Sequence, residues 1–156
     1  MLFQTVTMFF DEMGWPFEVL EGQTHVLQTA YEGSHGVFVC FCQCREEAQQ
    51  VIFYVVSEDR CPEERRPAMA EFLMRANFGM LIGNFEMDYS DGEVRFKTSV
   101  DIEGAGFSAA LLQNLVVSGA TTFDRYWPGF TSIAEGAMTP VEAILQVEAS
   151  IGGAEA

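Results

Sequence analysis

Two short stretches of this chain are apolar on both sides at once, and that restricts the folds open to it. From Val37 to Cys44, one alternating set is Val37, Val39 and Phe41, and the other is Phe38, Cys40, Cys42 and Cys44. From Val51 to Val56, the set Val51, Phe53 and Val55 opposes Ile52, Tyr54 and Val56. Successive side chains of a strand point to opposite faces, so a strand with helices on one side and water on the other should alternate apolar and polar residues. Neither stretch does. Both faces of these strands want cover, and helices or a partner must supply it.

The flanking sequence shows what is on hand. Leu2, Phe3, Val6, Phe9, Phe10 and Met13 recur at spacings of three and four, predicting a helix over residues 1–13 that stops at Gly14 with Pro16 beyond. Phe17 to Leu20, His25 to Tyr31, Val37 to Arg45 and Val51 to Ser57 read as extended. Their short polar connections suit antiparallel hairpins. Pro62, Glu63 and Glu64 open a short turn at 62–65, and the main second helix is expected from Arg66 to Met80, with Met69, Phe72, Leu73, Ala76 and Met80 buried. Two strands, Gly83 to Tyr89 and Glu93 to Ile102, flank Ser90-Asp91-Gly92, where glycine takes the positive φ of a tight hairpin. Ser108 caps a third helix expected from Ala109 to Trp127, with Phe107 and Leu112 as a hydrophobic staple and Pro128-Gly129 stopping or kinking it. Thr139-Pro140-Val141-Glu142 is a capping box for a last helix, and residues 151–156 read as a frayed tail on a single domain of residues 1–150. The order is α+β, with helices laid on an antiparallel sheet.

Charge and composition exclude several roles. With 8 basic and 23 acidic residues the net charge is -15, which repels phosphate backbones and anionic membranes; neither nucleic acid nor a membrane is expected as a partner. Residues 1–13 lack a basic n-region and end on Asp11 and Glu12, unlike a signal peptide, and no apolar run approaches the ~20 residues of a membrane helix. The expected location is the cytoplasm. Cys40, Cys42 and Cys44 alternate about 6.5 to 7 Å apart along an extended chain, too far to share a tetrahedral zinc without bending it. They read as small buried hydrophobes, which agrees with a reducing compartment.

Catalytic motifs find no foothold. His25 opens a strand and His35 sits in a Gly-Ser-His-Gly turn. Neither a nucleophile elbow, a phosphate loop, a dinucleotide fingerprint nor a His-Glu-x-x-His helix occurs. Asp88, Asp91 and Glu93 surround Gly92 without the spacing of a calcium loop, and Cys61, near a helix start, has Glu63 and Glu64 opposing a thiolate. No catalytic residue, cofactor or metal is expected.

Pro62-Glu63-Glu64, Ala70-Glu71-Phe72-Leu73, Arg75-Ala76-Asn77, Gly83-Asn84-Phe85-Glu86 with Asp88, Asp91-Gly92-Glu93 and Arg95-Phe96-Lys97 together resemble the YbjN family. That is a bacterial family described in terms of sensory transduction regulation, with a fold like that of type III secretion chaperones. Trp15-Pro16 and Asp124-Arg125-Tyr126 with Pro128 extend the resemblance over nearly the whole chain, and residues 72–97 are its specific part. It implies helices against an antiparallel sheet and pairing into homodimers, and brings no catalytic residue. Fold likeness does not assign a client.

Two functions fit. The first is a non-catalytic protein-interaction module, chaperone-like or regulatory, acting as a homodimer through Val37, Val39, Phe41, Tyr54, Val55 and Val56, with another protein as a further partner. The second is a sensor whose small apolar ligand enters between sheet and helices, against Met69, Phe72, Phe123 and Trp127. Arg75 and Asn77 have two readings: a recognition surface, or an Arg75–Glu71 pair four residues apart and an Asn77 that bonds local backbone.

Overall fold

A computed structural model describes the backbone of residues 1–152, and side chains through residue 150. Helix α1 (Leu2–Glu12) precedes strands β1 (Phe17–Val19), β2 (Val26–Glu32), β3 (Val37–Arg45) and β4 (Gln50–Val56). A 3-10 turn, Glu63–Arg65, leads into α2 (Arg66–Asn77), followed by β5 (Asn84–Met87), β6 (Val94–Asp101), α3 (Ala109–Glu135) and α4 (Pro140–Gly152). Residues 153–156, part of the expected tail, lie outside the described residues.

The six strands form one antiparallel sheet in the order β1-β2-β3-β4-β6-β5. One face is core. Cross-strand partners share a face, and the register Leu27↔Cys42↔Phe53↔Thr98 lines up buried residues of four strands. Against that face α3 packs on β4 and β6, α2 packs on β5, and α4 packs on both of these helices. Thr98 is buried there without penalty because its hydroxyl donates to the Leu115 carbonyl at 2.9 Å.

Neither the first helix nor the last covers the second face. Phe10 of α1 packs its ring 5.9 Å from Phe17, whose register partner Thr29 is on the core face, and α1 also touches α3. All four helices therefore crowd one side. The entry of α1 explains its placement: Glu46, in the β3–β4 turn, accepts the Leu2 and Phe3 backbone N–H groups at 3.0 and 2.8 Å, satisfying donors that every helix start leaves free.

Two helix boundaries differ from expectation. α2 ends at Asn77 rather than Met80, because Phe78 is extended (ψ 118) and Gly79 takes φ +80, a left-handed turn that glycine permits. α3 runs through Pro128 to Glu135. Proline costs one hydrogen bond, but the turns beyond it bury Gly129, Phe130 and Ile133, and a Cβ on Gly129 would sit 2.6 Å from Phe72. That close packing favours continuing the helix. Both expected caps are present: Ser108 Oγ accepts the Leu111 N–H at 3.1 Å, and Thr139 and Glu142 exchange bonds between side chain and backbone N–H at 2.9 and 3.3 Å. Among the described residues no helix is long and apolar enough to cross a membrane.

Candidate functional site

The residues that alternate with the core set make up the other side of the sheet. Four rows cross it. Ala30, Val39, Val56, Arg95 and Glu86 form one, and Glu18, Gln28, Phe41, Tyr54, Lys97 and Asn84 the next; then come Val26, Gln43, Ile52 and Ser99, and last Arg45, Gln50 and Asp101. Among the described residues no helix lies over this side. Val39, Phe41, Ile52, Tyr54 and Val56 are only half-buried and stand outside the core, and Val37 at the end of β3 is 64% exposed. The apolar part is thus a stripe along β3 and β4, the third and fourth of six strands. A hollow of about 280 Å³ opens on it, bordered by Val26, Phe41, Tyr54, Val56 and Arg95.

Polar groups on the open face are tied to one another. Glu86 receives Arg95 at 2.8 Å and also pairs with Lys97. Burial alone would raise the Glu86 pKa, but Lys97 and Arg95 outweigh it and hold its carboxyl below the ordinary 4.5. The Arg95 guanidinium lies 4.4 Å from the centre of the Tyr54 ring, within cation–π range. Arg45 donates to Gln50 at 3.0 Å, and Gln50 to Asp101 at 2.9 Å.

Of the residues expected to bind a partner, Val37, Val39, Phe41, Tyr54 and Val56 come together here. Val55 does not. It is fully buried against the helices, between Cys40 and Phe96 in the register, because strand alternation puts it on the opposite face from Tyr54. Arg75 is also apart from the site, paired with Glu71 at 2.8 Å. Asn77 bonds backbone, but its target is strand β5: its Oδ1 accepts the Phe85 N–H at 2.7 Å and its Nδ2 donates to the Phe85 carbonyl at 3.0 Å. Asn77 therefore stands in for a neighbouring strand at the outer edge of β5, where unpaired groups invite another chain.

The interior residues weighed as a ligand pocket are packing. Met69, Phe72 and Phe123 are buried, and Trp127 stacks on Phe130 with rings 5.0 Å apart while also meeting Phe38 and Phe123. Cys40, Cys42, Cys44 and Cys61 are free and buried. Burial pushes the Cys40 thiol up to about 12 and also raises Cys61, so neither is a thiolate near neutrality.

Sequence reasoning missed two features. The loop after α2 presents Phe78 at 91% exposure and Leu81 at 97%, with Ile82 and Met74 also exposed; extending the helix to Met80 hid it, though Gly79 and Gly83, both at positive φ, bracket it. The second is Asp124. It is buried on α3 and accepts the Ser34 and His35 N–H groups of the β2–β3 turn at 3.0 and 2.8 Å.

A family model matches residues 3–132, under the description "Putative bacterial sensory transduction regulator". The chain belongs to the YbjN family. The crystal structure of YbjN from E. coli, described as "a putative transcription regulator", is similar in fold: 15% of residues are identical, the TM-score is 0.56, and the match covers 95% of this chain and 92% of that one. At that identity the likeness is one of fold. No curated protein matches the chain in sequence. The YbjN description is of a regulator, and the matched span takes in the whole sheet and most of α3.

Proposed function

We propose that this YbjN-family chain is a non-catalytic protein-interaction module that works as a homodimer in the cytoplasm, with the open face of the sheet as its contact surface. The observation that carries the reading is the stripe of Val39, Phe41, Ile52, Tyr54 and Val56, continued by Val37, on a face that no helix among the described residues covers. Contiguous apolar patches beyond a few hundred Å² are rare on monomers, and a two-fold contact buries the same patch twice. The net charge of -15 favours protein over nucleic acid as the medium of regulation. Four free, buried cysteines suit a reducing compartment.

Light scattering tests it. The wild-type protein should have twice the chain mass at micromolar concentration, and Tyr54→Asp should be a folded monomer, because Tyr54 is outside the core. A wild-type monomer, or a Tyr54→Asp dimer of undiminished stability, would refute the reading.

A further inference from the structure

The structure bears on how two copies would meet, an inference that rests on the homodimer reading above. We propose that the two sheets stack open face to open face about a two-fold axis running along β3 and β4, so that β6 of one copy lies over β2 of the other.

Area sets the first constraint. At about 3.3 Å per residue and 4.8 Å per strand, the six strands cover a plane of roughly 600 Å², while a standard interface takes about 800 Å² of accessible surface from each partner. The pleated surface with its side chains exceeds its own plane, so a full-face stack reaches that class. A crossed stack loses part of that overlap, because the sheet is wider across its six strands, about 29 Å, than its strands are long on average, about 21 Å. Nearly aligned strands, as in sandwiches, keep the whole of it.

Aligned stacking leaves two axes, one along the strands and one across them. An axis across the strands sets each strand over its own copy, and centring the stripe on itself brings Arg95 and Lys97 of one chain against the same pair of the other. Like charges facing each other in a closing interface are destabilising. An axis along the strands, between β3 and β4, reverses the strand order. It sets Arg95 and Lys97 over Ala30 and Gln28 of β2, with Glu32 at the end of that strand and Glu18 on the neighbouring β1. The same operation preserves each row: Phe41 meets Tyr54 of the second copy, and Val39 meets its Val56. Charge also favours a second copy as the occupant. The chain is strongly acidic, yet its open strands set Arg45, Arg95 and Lys97 against Glu18, Glu32, Glu86 and Asp101, so this is the nearly balanced surface on which two acidic molecules can approach.

A spin-label distance decides between the axes. Glu18 is exposed on edge strand β1, and the four native cysteines are buried, so a nitroxide on Glu18→Cys is selective. With the axis along the strands the labelled backbone sites are five strand spacings apart laterally and one sheet separation vertically, about 26 Å in all. With the axis across them the sites are about 10–12 Å apart. The expected pulsed-EPR result is the longer distance in a sample that light scattering shows to be dimeric, and its loss in Glu18→Cys combined with Tyr54→Asp. A dimer with the short distance overturns the axis and leaves the homodimer reading standing. A monomer overturns the homodimer reading itself, and a dimer that keeps its distance with Tyr54→Asp present overturns the open face as its contact surface.

Discussion

Replacing Asp124 by alanine should loosen the β2–β3 turn from α3 and cost a large share of the protein's stability. The Asp124 side chain is 10% exposed, accepts two backbone N–H bonds, and has the His35 ring nitrogen at 3.4 Å. Hydrogen bonds to a charged group are worth about 1.5–3 kcal/mol each. Because the two share one carboxylate and partly add, about 2–4 kcal/mol is expected for Asp124→Ala. For a chain of this size that lowers Tm by about 6–12 °C. Asp124→Asn keeps one acceptor and should lose less. Gly33 supplies an internal check, since a Cβ there would lie 2.3 Å from Asp124 Oδ1. Gly33→Ala should be destabilising by about 1–3 kcal/mol through overpacking, and most of that penalty should vanish in the Asp124→Ala background, where the obstructing carboxylate is gone. Urea unfolding of the four proteins at one fixed concentration closes the cycle, the concentration being fixed because dimer stability depends on it. Additivity within about 0.5 kcal/mol, or a loss below that in Asp124→Ala, would refute the account of this anchor.

Asn77→Ala leaves the Phe85 N–H without a partner and the Phe85 carbonyl with only the Asn84 side-chain amide at 3.3 Å, so it should cost about 2 kcal/mol and raise aggregation through the unprotected β5 edge, as read by thermal melting and turbidity; an unchanged melt and clear solution would contradict the edge role. Gly92 holds φ +80, and a Cβ there would meet the Cys61 carbonyl oxygen at 2.3 Å; Gly92→Ala should therefore be strongly destabilised in the same assay. The Phe3 and Leu2 N–H groups hold the Glu46 carboxyl below its ordinary 4.5, burial acting the other way. A depressed carboxylate stabilises the folded state above the unfolded value and loses that contribution as pH falls through its own lowered pKa. The docking of α1, followed by Trp15 fluorescence against Phe10, should weaken in that acid range and lose this pH dependence in Glu46→Gln; an identical acid transition in the variant would show that Glu46 does not anchor the helix.

The strands and most helix starts were legible because each has a local cause. Extended apolar runs bounded by turn residues marked the strands, Ser108 and Thr139 announced caps, and the glycine of Ser90-Asp91-Gly92 marked a turn. Hairpin pairing accounts for β1 to β4 and for β5 with β6, but not for β6 lying beside β4. What stayed hidden depends on contacts far along the chain. Glu46 capping α1 spans 44 residues and Asp124 holding the Ser34 turn spans 90, and no periodicity encodes either. The continuation of α3 through Pro128 rests on burial of Phe130 and Ile133, which outweighs a local breaker. Double-sided apolarity of β3 and β4 marked the candidate site in the sequence, but which face the helices take is decided by how α2 and α3 pack, which no local pattern encodes. That choice moved Val55 from surface to core and left Tyr54 facing out.

Hydroxyl-radical footprinting of the wild-type protein at two concentrations tests the central claim residue by residue. Phe41 and Tyr54 should be protected at tens of micromolar and should gain reactivity on dilution through the dissociation range. Phe78 and Tyr89, exposed at 91% and 54% in loops outside the six strands, should react equally at both. If Phe41 and Tyr54 react as readily in the concentrated sample as in the dilute one, the open face of the sheet is not a contact surface between copies.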